Sequence, residues 1–321
     1  MKTLVAVIDR FHPLVLQSLK THPRFDVQVS SPNEIQNREQ VEALLTRTKV
    51  KVDEQLMESL PQLKVIVTST SGFDHIDVIA AKKRKIQVYF SPEGNVYSAS
   101  ELTLALALAC IRKIPVAHNN VLKGNWNRDE VRGLELHGKT WGLVGLGRIG
   151  QRVAQLAKAF GCEVMAYDPY QGHEAFEKAG AQRSSLNEIL RSADILSLHV
   201  PLTSETLHMI NVKTLHEMNE GTILINTSRG DVVHEQDLCA ALEKGDLKAV
   251  GLDVFHAEPL PLNSPLLKFP QVVLTPHVGG TTDEAYERSC QVAMNRLIAF
   301  FDKIEIPGGD PFQESWFIAQ R

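Results

Sequence analysis

The sequence predicts an α/β protein of two doubly wound, parallel-sheet domains, one inserted into the other. Three observations predict it. Short β-branched runs alternate with amphipathic helical stretches from end to end. A second such series begins afresh at Thr140, after an irregular segment. A final apolar helix then follows the last strand of that series and provides a return crossing into the first domain.

In chain order, strands are predicted over 4–8, 25–29, 65–69 and 87–90, with helical stretches between them, for example over 53–60, ended by Pro61. The next helix, 99–112, carries Leu102, Leu104, Leu106 and Leu108 and is apolar nearly all round, which predicts burial. Residues 113–138 read as irregular, with Gly124, Gly133 and Gly138 and an isolated Trp126. The second series predicts strands over 141–144, 164–167, 195–199, 222–226, 250–254 and 272–274. The last helix is read over 284–301, on Val292, Leu297, Ile298 and Phe301. This divides the chain into a discontinuous substrate domain, 1–98 with 289–321, and an inserted domain, 99–288. No internal repeat or low-complexity tract appears.

A length of 321 residues accommodates two cores, and 22% charged residues with a net charge of −4 give no general attraction for nucleic acid or anionic membrane. The apolar run at residues 3–8 is too short for a signal-peptide core, and 102–111 is half a bilayer span. The four cysteines, Cys110, Cys162, Cys239 and Cys290, are far apart and have no metal-ligand spacing. They read as reduced, buried thiols of a cytoplasmic protein, and no metal site is expected.

The strongest local motif is Gly145-Leu146-Gly147-Arg148-Ile149-Gly150, between an apolar strand and a helix. By itself G-x-G-x-x-G is weak, but the strand–turn–helix context is complete. The first glycine permits the tight turn, the second lets the backbone approach a pyrophosphate, and the third lets helix and strand pack closely. The helix start adds free N–H groups and partial positive charge. The following strand ends at Asp168, where a carboxylate accepts hydrogen bonds from ribose hydroxyls and repels a 2′-phosphate. No arginine follows it in Pro169-Tyr170-Gln171-Gly172, so NAD is expected over NADP.

Three later segments each place a functional side chain just past a strand, where parallel sheets bind ligands. They are Asn226-Thr227-Ser228-Arg229-Gly230, Asp253-Val254-Phe255-His256-Ala257-Glu258-Pro259 and Thr275-Pro276-His277-Val278-Gly279-Gly280. With Ser71-Gly72-Phe73-Asp74-His75-Ile76-Asp77, the glycine turn and His199-Val200-Pro201-Leu202-Thr203, these motifs run in order over about residues 43–300. In this the chain resembles the D-isomer-specific 2-hydroxyacid dehydrogenases.

That resemblance implies a Rossmann NAD domain inserted into a flavodoxin-like substrate domain, and a homodimer joined through the NAD domain. It makes His277 the acid/base, Glu258 its partner, and Arg229 the group that grips the substrate carboxylate. Chemistry agrees. Reducing a 2-oxo acid requires a proton on oxygen, and histidine titrates near neutrality. A neighbouring carboxylate favours the imidazolium and orients it. A guanidinium binds a planar carboxylate through two parallel N–H bonds.

Gly145, Gly147, Arg148, Ile149, Gly150, Asp168, Val200, Pro201, Thr227, Ser228, Gly279 and Gly280 are then expected to line the cofactor. Asp253 is expected at its nicotinamide amide. The backbone around Ser71 and Gly72, with Asn95 close by, is expected to bind the substrate carboxylate. His75, His199 and His256 are expected to be structural or peripheral.

The substrate is less sharply marked. Arg47-Thr48-Lys49-Val50 partly resembles the Arg-Ser-x-Thr stretch of 3-phosphoglycerate dehydrogenases, where the arginine helps bind the substrate phosphate. The loop 71–77 resembles that of glyoxylate or hydroxypyruvate reductases equally well. Two other classes share the fold elements: NAD-sensing corepressors, which act through protein contacts, and nucleotide-dependent hydrolases with the same cofactor domain. The resemblance does not extend into the tail, 303–321.

Overall fold

The computed structural model describes residues 2–305 and 307–319. Of the tail, Ile306, Gln320 and Arg321 lie outside the described residues. The chain divides into two compact units, one comprising the described residues up to Asn95 and from Gly280 onward, the other Val96–Gly279. The return crossing therefore precedes the last helix, Asp283–Asp302, instead of falling within it at residue 289. The helix belongs whole to the first unit because Cys290, Ala293, Met294 and Leu297 pack together on that unit's sheet.

The first unit's sheet contains β1 (Thr3–Val7), β2 (Phe25–Val29), β3 (Val41–Thr46), β4 (Val65–Thr68) and β5 (Gln87–Tyr89), all parallel, in the order β2-β1-β3-β4-β5. Alternate residues feed opposite faces: Val5 and Val7 join one apolar layer, Ala6 and Ile8 the other. Four of these strands are the expected ones. β3 is not among them, because Glu42-Ala43-Leu44-Leu45 is rich in helix formers. Pairing with β1 and β4 on both edges, and burial on both faces, overrides that weak preference.

The second unit's sheet contains β6 (Thr140–Val144), β7 (Glu163–Tyr167), β8 (Gln182–Arg183), β9 (Ile195–Leu198), β10 (Thr222–Asn226), β11 (Leu247–Leu252) and β12 (Val272–Leu274). It too is wholly parallel, in the order β12-β11-β10-β9-β6-β7-β8. The two strand orders are those of flavodoxin-like and Rossmann sheets. The two-residue β8 is too short to leave a periodic signal, and the sequence reading missed it.

Helix Val96–Ile111 lies on this sheet through Leu106, Ala107, Cys110 and Ile111. Its other side reaches solvent at Glu101 and Ala105, so it is not buried all round as expected. The segment read as irregular contains a helix, Ile114–Leu122, with Pro115 in its first turn, where a missing N–H costs nothing. All four cysteines are free and buried, and burial pushes the Cys110 thiol up to about 12. Among the described residues, no helix is long and apolar enough to cross a membrane.

Candidate active site

The strand order reverses between β6 and β9, and the glycine turn sits at the carboxyl end of β6. Gly145 has φ +96°, and a Cβ there would lie 2.6 Å from the His199 carbonyl oxygen. A Cβ on Gly150 would lie 2.2 Å from the Gly145 carbonyl oxygen, so helix Arg148–Ala159 packs as close as glycine allows. A Cβ on Gly147 would meet nothing within 4 Å. That open space, above a backbone held tightly on its other side, is the cradle a pyrophosphate needs, and the residues present fit the cofactor.

His199 braces the turn from below. Its Nε2 meets Ser197 Oγ at 2.9 Å, and that hydroxyl accepts Trp141 Nε1–H at 2.8 Å. Although part of its surface stays accessible, burial lowers its imidazole to about 3, which keeps it neutral. Val200 and Pro201 follow it, the latter fixed by the Thr206 hydroxyl donating to its carbonyl at 2.6 Å.

Asp168 is held at the rim, its Oδ2 accepting the Leu146 N–H at 2.7 Å and its Oδ1 the Tyr170 N–H at 2.9 Å. Beside it opens a cavity of about 500 Å³, lined in part by Pro169, Arg183, Ser184 and Ser185. The four residues after Asp168 include no cation, but β8, paired with β7, brings in Arg183 from farther along the chain.

The three segments with candidate catalytic side chains follow β10, β11 and β12. His277 Nδ1 meets Glu258 Oε2 at 2.6 Å, and both side chains are partly exposed. His277 stands in the left-handed region at φ +53°, uncommon for a non-glycine residue. Asp253 is the clamp that holds it there. This carboxylate, 1% exposed, accepts Thr275 Oγ1–H at 2.6 Å and the N–H groups of Val278 and Gly279, each at 2.8 Å. It was expected at the nicotinamide amide; in the structure both of its oxygens are engaged by the loop that carries His277.

Arg229 is positioned by its neighbours. Asn226, 1% exposed, donates to the Arg229 carbonyl at 2.9 Å and accepts from the N–H and hydroxyl of Ser228. Ser228 thus turns its hydroxyl inward, and the Thr227 hydroxyl pairs with Thr103 at 2.8 Å. A Cβ on Gly230 would lie 2.0 Å from the Phe255 carbonyl carbon, so the Arg229 loop touches the loop leading to Glu258. The Phe255 N–H then donates to Glu258 Oε1 at 3.1 Å. The same two loops are joined at the surface by His256 Nδ1 and Asp231 Oδ1 at 2.5 Å, which raises the His256 pKa. The sequence reading missed Asn226 and Gly230. A buried asparagine closing a strand, where asparagine is depleted, was the available signal.

In the first unit, Ser71 Oγ donates to Asn95 Oδ1, which brings two of the expected carboxylate-binding residues together. Gly72 is fixed through its carbonyl, which accepts the Thr70 hydroxyl at 2.7 Å. Gly280, expected at the cofactor, lies against Asn95: a Cβ on it would be 3.3 Å from Asn95 Nδ2. The Arg47 guanidinium sits 4.4 Å above the Tyr286 ring, just past β3.

The NAD binding domain model of the D-isomer specific 2-hydroxyacid dehydrogenases matches residues 104–279. Glyoxylate reductase of Thermococcus litoralis is 42% identical over 310 residues, covering 94% of this chain and 91% of its own. D-3-phosphoglycerate dehydrogenase of Mycobacterium bovis is 42% identical over 250 residues, 78% of this chain but only 47% of its own, so this chain spans about half the length of such relatives. The crystal structure of D-lactate dehydrogenase from Aquifex aeolicus, complexed with NAD and lactic acid, superposes with a TM-score of 0.80 at 31% identity, over 94% of this chain and 96% of that one. The chain belongs to the D-isomer specific 2-hydroxyacid dehydrogenase family and carries that family's NAD binding domain.

Proposed function

We propose that the protein is an NAD-dependent dehydrogenase that interconverts a small D-2-hydroxy acid and its 2-oxo acid. The observation that carries this reading is the His277–Glu258 pair at 2.6 Å, on a loop clamped by buried Asp253 and beside the loop of Arg229. When bound, the nicotinamide supplies or accepts the hydride. His277 gives the proton to the carbonyl oxygen during reduction and takes it back during oxidation. Glu258 stabilises the imidazolium and fixes its orientation through Nδ1, leaving Nε2 for the substrate. Arg229 grips the carboxylate and polarises the carbonyl; the loop of Ser71 and Gly72, with Asn95, holds the carboxylate in place.

Two substrate classes fit this machinery. Arg47, at the carboxyl end of β3 where the first sheet's order reverses, favours a substrate with a second anionic end, such as phosphohydroxypyruvate. The nearly full-length similarity to a glyoxylate reductase favours glyoxylate or hydroxypyruvate. An NADH-oxidation screen over glyoxylate, hydroxypyruvate, phosphohydroxypyruvate, pyruvate and branched 2-oxo acids tests both; no turnover on any of them sinks the reading. A homodimer through the NAD domain fits the exposed Ile114, Val121, Leu122 and Trp126, and sedimentation reads the assembly state directly. Four buried free thiols suit a reducing cytoplasm.

A further inference from the structure

The segment after the last helix has no task in the proposed chemistry, yet it is tied firmly into the first unit. Arg296 donates to the Gly308 carbonyl at 2.6 Å, and the Phe90 N–H to the Gly309 carbonyl at 2.7 Å. Gln87 Nε2 donates to Asp310 Oδ2 at 2.9 Å, and the Lys82 ammonium sits 4.0 Å above the Phe312 ring. These ties deliver two aromatic rings to one place. Trp316 stacks on Phe73 at 5.7 Å and 18°, and Phe317 meets Phe73 edge-on at 5.4 Å and 86°. Phe90 closes a third side at 5.0 Å.

We infer that the C-terminal segment is a positioning element for the substrate loop, acting through Trp316 and Phe317 on Phe73. The inference rests on the reading of Ser71 and Gly72 as carboxylate-binding groups. Phe73 directly follows Gly72 and is the one buried residue between 70 and 75. Gly72 has no side chain, so the aim of its N–H depends on how its neighbours are held. On the near side, Ser71 is held by Asn95. On the far side the anchor is the Phe73 ring, and the tail supplies two of the rings around it. A backbone donor displaced by about 1 Å loses much of its worth to a bound substrate.

Trp316→Ala is therefore expected to raise the KM for the 2-oxo acid by roughly two- to tenfold, the factor an aromatic pair is worth when it fixes one loop conformation. The kcat at saturating substrate and the Kd for NADH should stay within twofold, roughly the limit for sites remote from the change. Trp316→Phe, which keeps a stacking ring, should restore KM. Amide exchange at residues 71–73 should quicken in the alanine variant and not in the phenylalanine variant. Gly72→Pro, which removes the N–H itself, separates the two readings. If it leaves KM unchanged, the carboxylate reading of the loop fails. If it raises KM while Trp316→Ala lowers thermal stability alone, the tail is scaffolding and the inference is overturned.

Discussion

The two sheets reverse their strand order in different places, and the sites at those places are built differently. In the second unit the reversal lies between β6 and β9, and the site there is made of backbone: a glycine turn pressed against the His199 carbonyl, with open space over Gly147. In the first unit it lies between β1 and β3, and the groups there are side chains from distant stretches. Asp9 Oδ2 accepts the Lys49 N–H at 2.9 Å, Arg47 lies over Tyr286, and His12 meets the same ring edge-on at 5.4 Å. A backbone-built site needs consecutive residues of special conformation, so it writes a local motif. A side-chain-built site draws single residues from separate elements and writes none.

The largest effect is expected from a single side chain that belongs to neither reversal, in the candidate catalytic set of the second unit. His277→Asn should lower turnover by about 10²- to 10⁴-fold while NADH binding stays within a few-fold, because only proton transfer is lost. Near-normal turnover at pH 7 would take His277 out of the mechanism. Next comes Arg47→Ala, expected to lower kcat/KM for phosphohydroxypyruvate by about ten- to a hundredfold and to spare glyoxylate, which has no distant anion. Equal small losses on both would make Arg47 part of the scaffold and move the glyoxylate or hydroxypyruvate reading ahead.

The backbone-built site should respond in the opposite way. Gly147→Ala meets no protein atom within 4 Å, so thermal unfolding should hardly move. NADH binding should still weaken about tenfold, as the new methyl holds the pyrophosphate off the amides. Equal loss of stability and affinity would show that the glycine serves packing. The smallest effect is expected at the rim: Asp168→Ala should weaken NADH a few-fold and narrow its advantage over NADPH, with Arg183 in the adjoining cavity. A wild type that already prefers NADPH would reverse the assignment.

These differences follow which parts could be read beforehand. Strands β2, β10 and β12 were legible to the residue because flanking turn signals bracket short apolar runs. β3 was not, since Glu42-Ala43-Leu44-Leu45 carries helix propensity and only its two partner strands make it extended. In the candidate site, His277 and Glu258 were legible as residue types at strand ends. That Asp253 holds the His277 loop was not, because only the folded chain brings the Val278 and Gly279 N–H groups to its carboxylate.

By itself, then, the sequence determined the α/β alternation, the glycine cradle and the chemical types at the three candidate catalytic turns, because each rests on residues within a few positions of one another. The tertiary structure alone decided that Arg183 stands beside Asp168, that Gly230 brings the Arg229 loop against the Glu258 loop, and that Trp316 covers Phe73. Those juxtapositions join residues tens to hundreds of positions apart, and no local preference encodes them. They are fixed when the sheets form and the apolar layers close, a condition on the whole chain.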